Sequence, residues 1–377
     1  MDISGIYMER CLELAGYGRG YVAPNPMVGA VIVCDGHIIG EGYHRCYGEA
    51  HAEVNAIASV KDESLLRKST LYVNLEPCSH YGKTPPCAEL IIRKGIPHVV
   101  VACLDPYPEV AGRGIRMLRE AGVQVVCGDE ENELGANAAM SQKAKELNRF
   151  FITAHKKHRP YIILKWAQSR DGFIDQIRKD KSQNPVQLST PLTRMMVHKL
   201  RSEVQAIMVG TNTAILDDPS LTVRYWAGKS PVRVLIDRNL YVPENSRLFD
   251  GKQLTIIYTN KKNSNLKQDF QEKKNIEYVK MDDSVQFLRN IAADLYEKKI
   301  ISLLIEGGAS LHRSFIDEGL WDEAFIETSP ASLNNGVKVA KILPGETAQL
   351  VDEYSVPGFV SRFGKSSVIE HYINKSI

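Results

Sequence analysis

A chain of 377 residues, 44% hydrophobic and 24% charged, has the composition of a soluble globular protein and is too long for one ordinary core, so two domains are expected. A formal charge of +2, with lysine pairs scattered at 156–157, 261–262, 273–274 and 298–299, offers no basic stripe for nucleic acid, and no apolar run approaches the length of a membrane span. All seven cysteines lie at or before Cys127, which suits a reducing compartment and a thiolate metal site better than a disulfide framework. The start, Met1-Asp2-Ile3, has neither the basic residues nor the apolar run of a secretory signal, so a cytoplasmic location is expected.

Ile3, Ile6, Tyr7, Cys11, Leu12 and Ala15 form an apolar stripe that predicts a helix over residues 3–15, ended by glycines. Residues 28–34 read as a strand, Asp35-Gly36 as a hairpin turn and 38–43 as its partner. A helix is expected over 51–59, then a strand over 71–75 running into Glu76-Pro77-Cys78. Helices over 87–94 and 114–121 alternate with strands over 99–103 and 123–126, and a helix over 130–148 ends the first half. Such alternation implies an α/β sheet covered on both faces. It also places the candidate ligands at helix N-termini, where the macrodipole favours thiolates.

Those ligands are His51, Cys78 and Cys87. One imidazole and two thiolates hold a Zn²⁺ with its fourth position open, as a catalytic site requires. Glu53, two residues past the histidine, is then placed as a proton shuttle. The order H-x-E, P-C, C is the signature of zinc nucleobase deaminases, which replace a ring amino group by water. Eight residues separate the cysteines here instead of the usual two. A structural zinc is the competing reading, with His80 as a fourth protein ligand. Polar loops flank the site: Asn25 lies between two prolines, and Lys83 suits a phosphate as a point charge.

The basic stretch 155–159 before Pro160 interrupts the periodicity, so a boundary is expected near residue 150, giving domains 1–149 and 150–377. Beyond it, strands are predicted over 161–166, 206–209, 232–236, 254–258 and 302–305, with helices over 191–201, 285–298 and 311–317. The strand over 302–305 runs into Glu306-Gly307-Gly308-Ala309-Ser310, a turn whose amides could approach a phosphate at a helix N-terminus. It is not G-x-G-x-x-G, so a Rossmann fold is not indicated.

The run 24–29, the segments 42–44 and 51–54, and the stretch from Leu75-Glu76-Pro77-Cys78 to Pro86-Cys87 resemble the bifunctional deaminase–reductase family of riboflavin biosynthesis. The wide cysteine spacing belongs to that family. The resemblance implies an α/β architecture, with an N-terminal cytidine-deaminase-like α/β/α domain and a C-terminal dihydrofolate-reductase-like α/β domain. It implies one Zn²⁺ per chain on His51, Cys78 and Cys87, with Glu53 as shuttle. Asn25, His44, His80, Lys83 and Asp105 would position a diaminopyrimidine ribosyl phosphate. In the second half, residues 165–172, 216–224 and 306–316 are similar to the family's NADPH-dependent reductase. Ala167, Thr213, Asp217, Gly308, Ala309 and Ser310 would hold NADPH, and Arg201, Leu221, Arg224 and Glu306 the substrate. Family analogy further implies a homodimer or higher homo-oligomer.

Three departures stand out. Tyr107 replaces the asparagine of the family's Asp-Pro-Asn-Pro, residues 185–189 replace its Ser-x-Trp-Ile-Thr, and Arg238 replaces a serine after a strand-ending aspartate. A guanidinium can fork onto a phosphate, so Arg238 is expected to strengthen a preference for NADPH. The alternative reading is a zinc deaminase of another nucleobase, in tRNA or a free nucleotide, with an accessory nucleotide-binding domain. A nucleic-acid deaminase would call for a basic, aromatic-studded groove, for which the charge pattern gives no support. A non-catalytic zinc protein would have no use for Glu53.

Overall fold

The computed structural model describes residues 3–79, 81, 85–107, 111–130, 136–261, 275–282, 284–342, 345, 347–356 and 366–375. The chain divides into two compact units, Met1–His158 and Arg159–Ile377.

In the first unit, α1 (Ile3–Gly16) precedes a hairpin of β1 (Gly29–Cys34) and β2 (His37–Tyr43). Asp35 and Gly36 both take positive φ, 49° and 76°, as a two-residue hairpin turn requires. Next come α2 (Ala52–Ser59), β3 (Thr70–Val73), α3 (Cys87–Lys94), β4 (His98–Val101), α4 (Arg113–Glu120) and β5 (Gln124–Cys127). The sheet order is β2-β1-β3-β4-β5, antiparallel through β1 and parallel from β3 onward. Ile32, Leu71, Val73 and Val99 pack on Ala52, Ala56, Ile91 and Leu118 in one apolar cluster. The ladders of β3 and β4 stop short of the predicted ends, although Leu75 and Cys103 stay buried. The apolar pattern therefore runs past the strand tips into the loops where, in parallel sheets, sites assemble.

Helix α5 (Ala136–Leu147) is followed at once by α6 (Arg149–Lys157), which the sequence reading took for a boundary. That expectation is revised. Phe151 and Ala154 are buried, and the basic residues 155–157 sit in the last turn, where they suit the helix dipole. The units meet one helix later than expected, after His158. A fragment ending at His158 is therefore expected to fold and bind zinc. One ending at Asn148 loses the buried Phe151 side chain, a deletion that costs about 3–5 kcal/mol in a core. Circular dichroism and zinc content of the two fragments check this, and equal stability would refute it.

The second unit contains β6 (Tyr161–Ser169), β7 (Phe173–Asp175), α7 (Pro191–Glu203), β8 (Ala206–Gly210), α8 (Thr211–Asp217), β9 (Val232–Ile236), β10 (Thr255–Thr259) and β11 (Ile276–Lys280). It continues with α9 (Phe287–Glu297), β12 (Ser302–Glu306), α10 (Ala309–Asp317), β13 (Glu323–Ser329), β14 (Val337–Lys338), β15 (Ala348–Val356) and β16 (Ser367–Asn374). A nine-stranded sheet runs β11-β10-β9-β8-β12-β6-β13-β16-β15, parallel from β11 through β13 and antiparallel at β16 and β15. Thr190 caps α7 in a reciprocal capping box with Thr193, and Pro191 takes the first helical position. No helix among the described residues is long and apolar enough to cross a membrane.

Candidate functional site

His51 immediately precedes α2 in extended conformation, and Cys87 opens α3. Cys78 lies in the loop after β3 and not at a helix N-terminus as expected, since α3 begins only at Cys87. The three converge across the tip of the sheet. His51 Nδ1 is 3.6 Å from Cys78 Sγ and 3.4 Å from Cys87 Sγ. The three ligand atoms all lie within 4.8 Å of one another. Tetrahedral zinc, with Zn–N about 2.0 Å and Zn–S about 2.3 Å, needs such atoms roughly 3.5–3.8 Å apart, so the donor set fits the ion. The hydrogen bond from Cys87, and then His51, hold the Cys78 thiol well below its ordinary value against the cost of burial. A zinc ion on this donor set would require both Cys78 and Cys87 as thiolates. Glu53 is only 3% exposed, and burial, then the charge of Cys78, pushes its carboxyl up to about 6.

A cavity of about 540 Å³ opens over this triad and is lined by Asn25, His44, His51, Glu53, Cys78 and Asp105, among others. His44 Nδ1 sits 3.1 Å from the Ala50 carbonyl, which can only accept, so Nδ1 carries the proton. Its Nε2, 3.1 Å from Asn25 Nδ2, then accepts from that amide. Burial lowers the His44 pKa and keeps this tautomer neutral. The Asn25 loop is held in turn by Asn148, whose Oδ1 accepts from Met27 N at 2.8 Å and whose Nδ2 donates to Met27 O at 2.9 Å.

Glu76, read only as part of a motif, is a structural anchor the sequence reading missed. Its carboxylate accepts from the backbone amides of Gly112 and Gly114 at 2.9 Å, and of Asp105 and Ile115 at 3.3 Å. It caps α4, whose preceding residue Gly112 has no side chain to do so. A Cβ on Gly114 would lie 2.0 Å from the Pro77 carbonyl, so the start of α4 is pressed against the loop carrying Cys78. The signal was an acid closing an apolar strand. Of the expected substrate residues, Asn25, His44 and Asp105 gather here, while His80 and Lys83 lie outside the described residues.

In the second unit, Arg201 Nε and Nη2 bind Glu306 bidentately at 2.8 and 2.6 Å, and Nη1 donates to the Thr222 carbonyl at 3.1 Å. Arg224 Nη1 reaches Thr222 Oγ1 at 2.9 Å, and the Arg224 amide donates to His198 Nδ1 at 2.8 Å. Burial, then Arg201 and Arg224, lower the His198 imidazole to about 4, which leaves that nitrogen free to accept. Leu221 is buried with φ 50°, so it bends the loop that presents these groups. Lys165, unassigned by the sequence reading, lies 3.8 Å from Glu327.

A second cavity of about 560 Å³ lies at the C-terminal ends of β8 and β9 and the start of α10, lined by Thr213, Arg238, Gly308 and Ser310 among others. Gly307 and Gly308 have φ 120° and 68°, and a Cβ on Gly307 would meet Thr213 Cγ2 at 2.8 Å. The first amides of α10 have no intrahelical partner. Glycine turn, helix start and hydroxyl together fit a phosphate-bearing cofactor. Arg238 carries its guanidinium carbon 4.2 Å above the Phe287 ring in this cavity. Ala167, Ala309 and Asp217 do not line it. Asp217 instead pairs with Arg178, which also binds Asp175 at 2.6 Å.

Comparison with known proteins follows the same division. Residues 2–103 match the cytidine and deoxycytidylate deaminase zinc-binding region, and residues 160–345 match the RibD C-terminal domain. The riboflavin biosynthesis protein RibD of Aquifex aeolicus (strain VF5) is 38% identical, covering 90% of this chain and 91% of that protein. RibD of Bacillus amyloliquefaciens is 40% identical over 91% of this chain and 88% of its own length. The crystal structure of a diaminohydroxyphosphoribosylaminopyrimidine deaminase/5-amino-6-(5-phosphoribosylamino)uracil reductase from Thermotoga maritima superposes with a TM-score of 0.82 at 33% identity, covering 99% of both chains.

Proposed function

The chain belongs to the RibD family of riboflavin-biosynthesis deaminase–reductases, and from that premise we propose that its two units act in turn on one pyrimidine ribosyl phosphate. The first removes the 2-amino group of 2,5-diamino-6-ribosylamino-4(3H)-pyrimidinone 5′-phosphate as ammonia. The second reduces the ribosyl side chain to ribityl with NADPH. The observation that carries the first step is the His51, Cys78 and Cys87 donor set beside a buried carboxyl in one cavity. Zinc held there supplies Lewis acidity and one open position. Glu53 takes a proton from the attacking water and delivers it to the departing nitrogen. Asn25, ordered by neutral His44, and Asp105 orient the ring, and His80 and Lys83 receive the phosphate.

In the second unit Arg201, Leu221, Arg224 and Glu306 hold the deaminated intermediate. NADPH would supply the hydride, and Thr213, Gly308 and Ser310, which line the second cavity, would seat its phosphates, whereas Ala167, Ala309 and Asp217, expected there from the sequence, lie outside that lining. Arg238 recognises the 2′-phosphate. Arg238→Ser is expected to raise KM for NADPH roughly ten- to a hundredfold, the scale of a lost hydrogen bond to a charged group. KM for NADH should barely move, and equal losses with both cofactors would remove Arg238 from this role.

Thiolate ligands and free cysteines suit a reducing, cytoplasmic setting. The chain works as a homodimer or higher homo-oligomer, without nucleic acid or membrane. The overall test supplies the diaminopyrimidine substrate and follows ammonia, then NADPH oxidation. Ammonia should appear without NADPH, and NADPH oxidation should depend on prior deamination. NADPH consumption with no ammonia would overturn the proposed order.

A further inference from the structure

We propose that Tyr107 and His155, backed by Phe151, form an aromatic wall against which the substrate packs in the deaminase cavity. The inference rests on the deaminase reading above. Phe151 and His155 stand four residues apart on α6 and so share one face of the helix. Their rings meet at 4.4 Å and 66°, and the Tyr107 ring meets His155 at 5.2 Å and 66°. Both pairs are edge-to-face, the geometry in which aromatic rings attract beyond simple burial. All three residues line the cavity that holds His51, Glu53 and Cys78.

Tyr107 is fixed from two directions. Its amide donates to Asp105 Oδ1 at 2.8 Å, and its carbonyl accepts from Ala111 N at 2.9 Å. The Asp105 amide in turn donates to Glu76, the carboxylate that also anchors α4. One frame thus sets both the ring wall and the loop bearing Cys78. Burial, then His158, lower the His155 pKa, so the wall presents a neutral ring. A flat heterocycle on a sugar has apolar faces that pack well on such a surface.

The test uses the full zinc-loaded chain and measures KM and kcat for ammonia release. Tyr107→Asn and His155→Ala are expected to raise KM roughly tenfold with kcat within about twofold, the scale of one lost ring contact. The double variant should be little worse than the worse single one, because the rings act as a unit. Tyr107→Phe and His155→Phe keep the faces and should keep KM within about twofold. Zinc content and reduction of supplied deaminated intermediate should be unchanged in all of them. Phenylalanine variants that lose as much as Tyr107→Asn would overturn the wall even if His155→Ala folds poorly, as would additive effects or unchanged KM throughout. A Glu53→Gln chain that keeps its rate would sink the deaminase reading itself. If that variant is inactive and KM stays constant in the others, only the wall is wrong.

Discussion

Cys78→Ala is expected to yield a chain that holds no zinc and releases no ammonia, yet still reduces the deaminated intermediate with NADPH. Two remaining donors, His51 and Cys87, cannot hold the ion at the three-ligand count that a catalytic site needs. The loss should be confined to the first unit, because every reductive residue named above lies after His158. Glu53→Gln separates metal from proton transfer. The amide matches the carboxyl in size and sits in the same buried position, so zinc should stay near one per chain. Deamination should fall about 10²–10⁴-fold, the usual contribution of a positioned acid–base group. Metal analysis and ammonia release on the two variants check both points. Deamination in zinc-free Cys78→Ala protein would refute the metal assignment, and a Glu53→Gln chain with most of its rate would exclude Glu53 as shuttle.

The Arg201–Glu306 pair should show the largest effect on stability. Both side chains are largely buried, at 12% and 14% exposure, and they meet bidentately. Removing one partner strands the other charge away from water, which costs about 3–5 kcal/mol. Arg201→Met is therefore expected to lower the urea midpoint of the second unit sharply. Arg201→Met with Glu306→Leu should recover most of that loss, since an apolar pair of similar volume needs no desolvation. Reduction should be lost in both, because neither can hold the substrate. Recovery of stability with recovery of activity would show that the pair is architectural only.

The same pair sets a pH dependence. Burial would raise the Glu306 carboxyl, but the Arg201 guanidinium outweighs it and holds the group below its ordinary 4.5. A depressed carboxylate contributes stability that is fully present above its unfolded value and fades as pH falls through its folded one. The second unit of the unmutated chain should thus weaken below about pH 4.5 more steeply than the double variant.

Much of the chemistry was legible along the chain. The candidate metal donors His51, Cys78 and Cys87, which the fold brings together, were legible from their types and order, and the paired turn residues Asp35-Gly36 encode the hairpin. In the second unit the central strands could be read from their apolar runs, since parallel strands buried on both faces carry little else. The edge strand β15, its inner neighbour β16 and the short α8 were not read, because half-exposed, mixed-polarity or brief elements leave a weak periodic signal.

What tertiary structure alone decided are contacts between residues far apart in sequence. Asn148 clamps Met27, Glu76 gathers the amides of 105 and 112–115, and Arg201 finds Glu306. Helix α6 is the clearest case. Its basic surface resembled a linker, and only the packing of Phe151 and His155 on the cavity assigns it to the first unit. Local pattern reports which face of a helix is apolar but not which partner covers it, because that depends on how the whole sheet brings distant segments together.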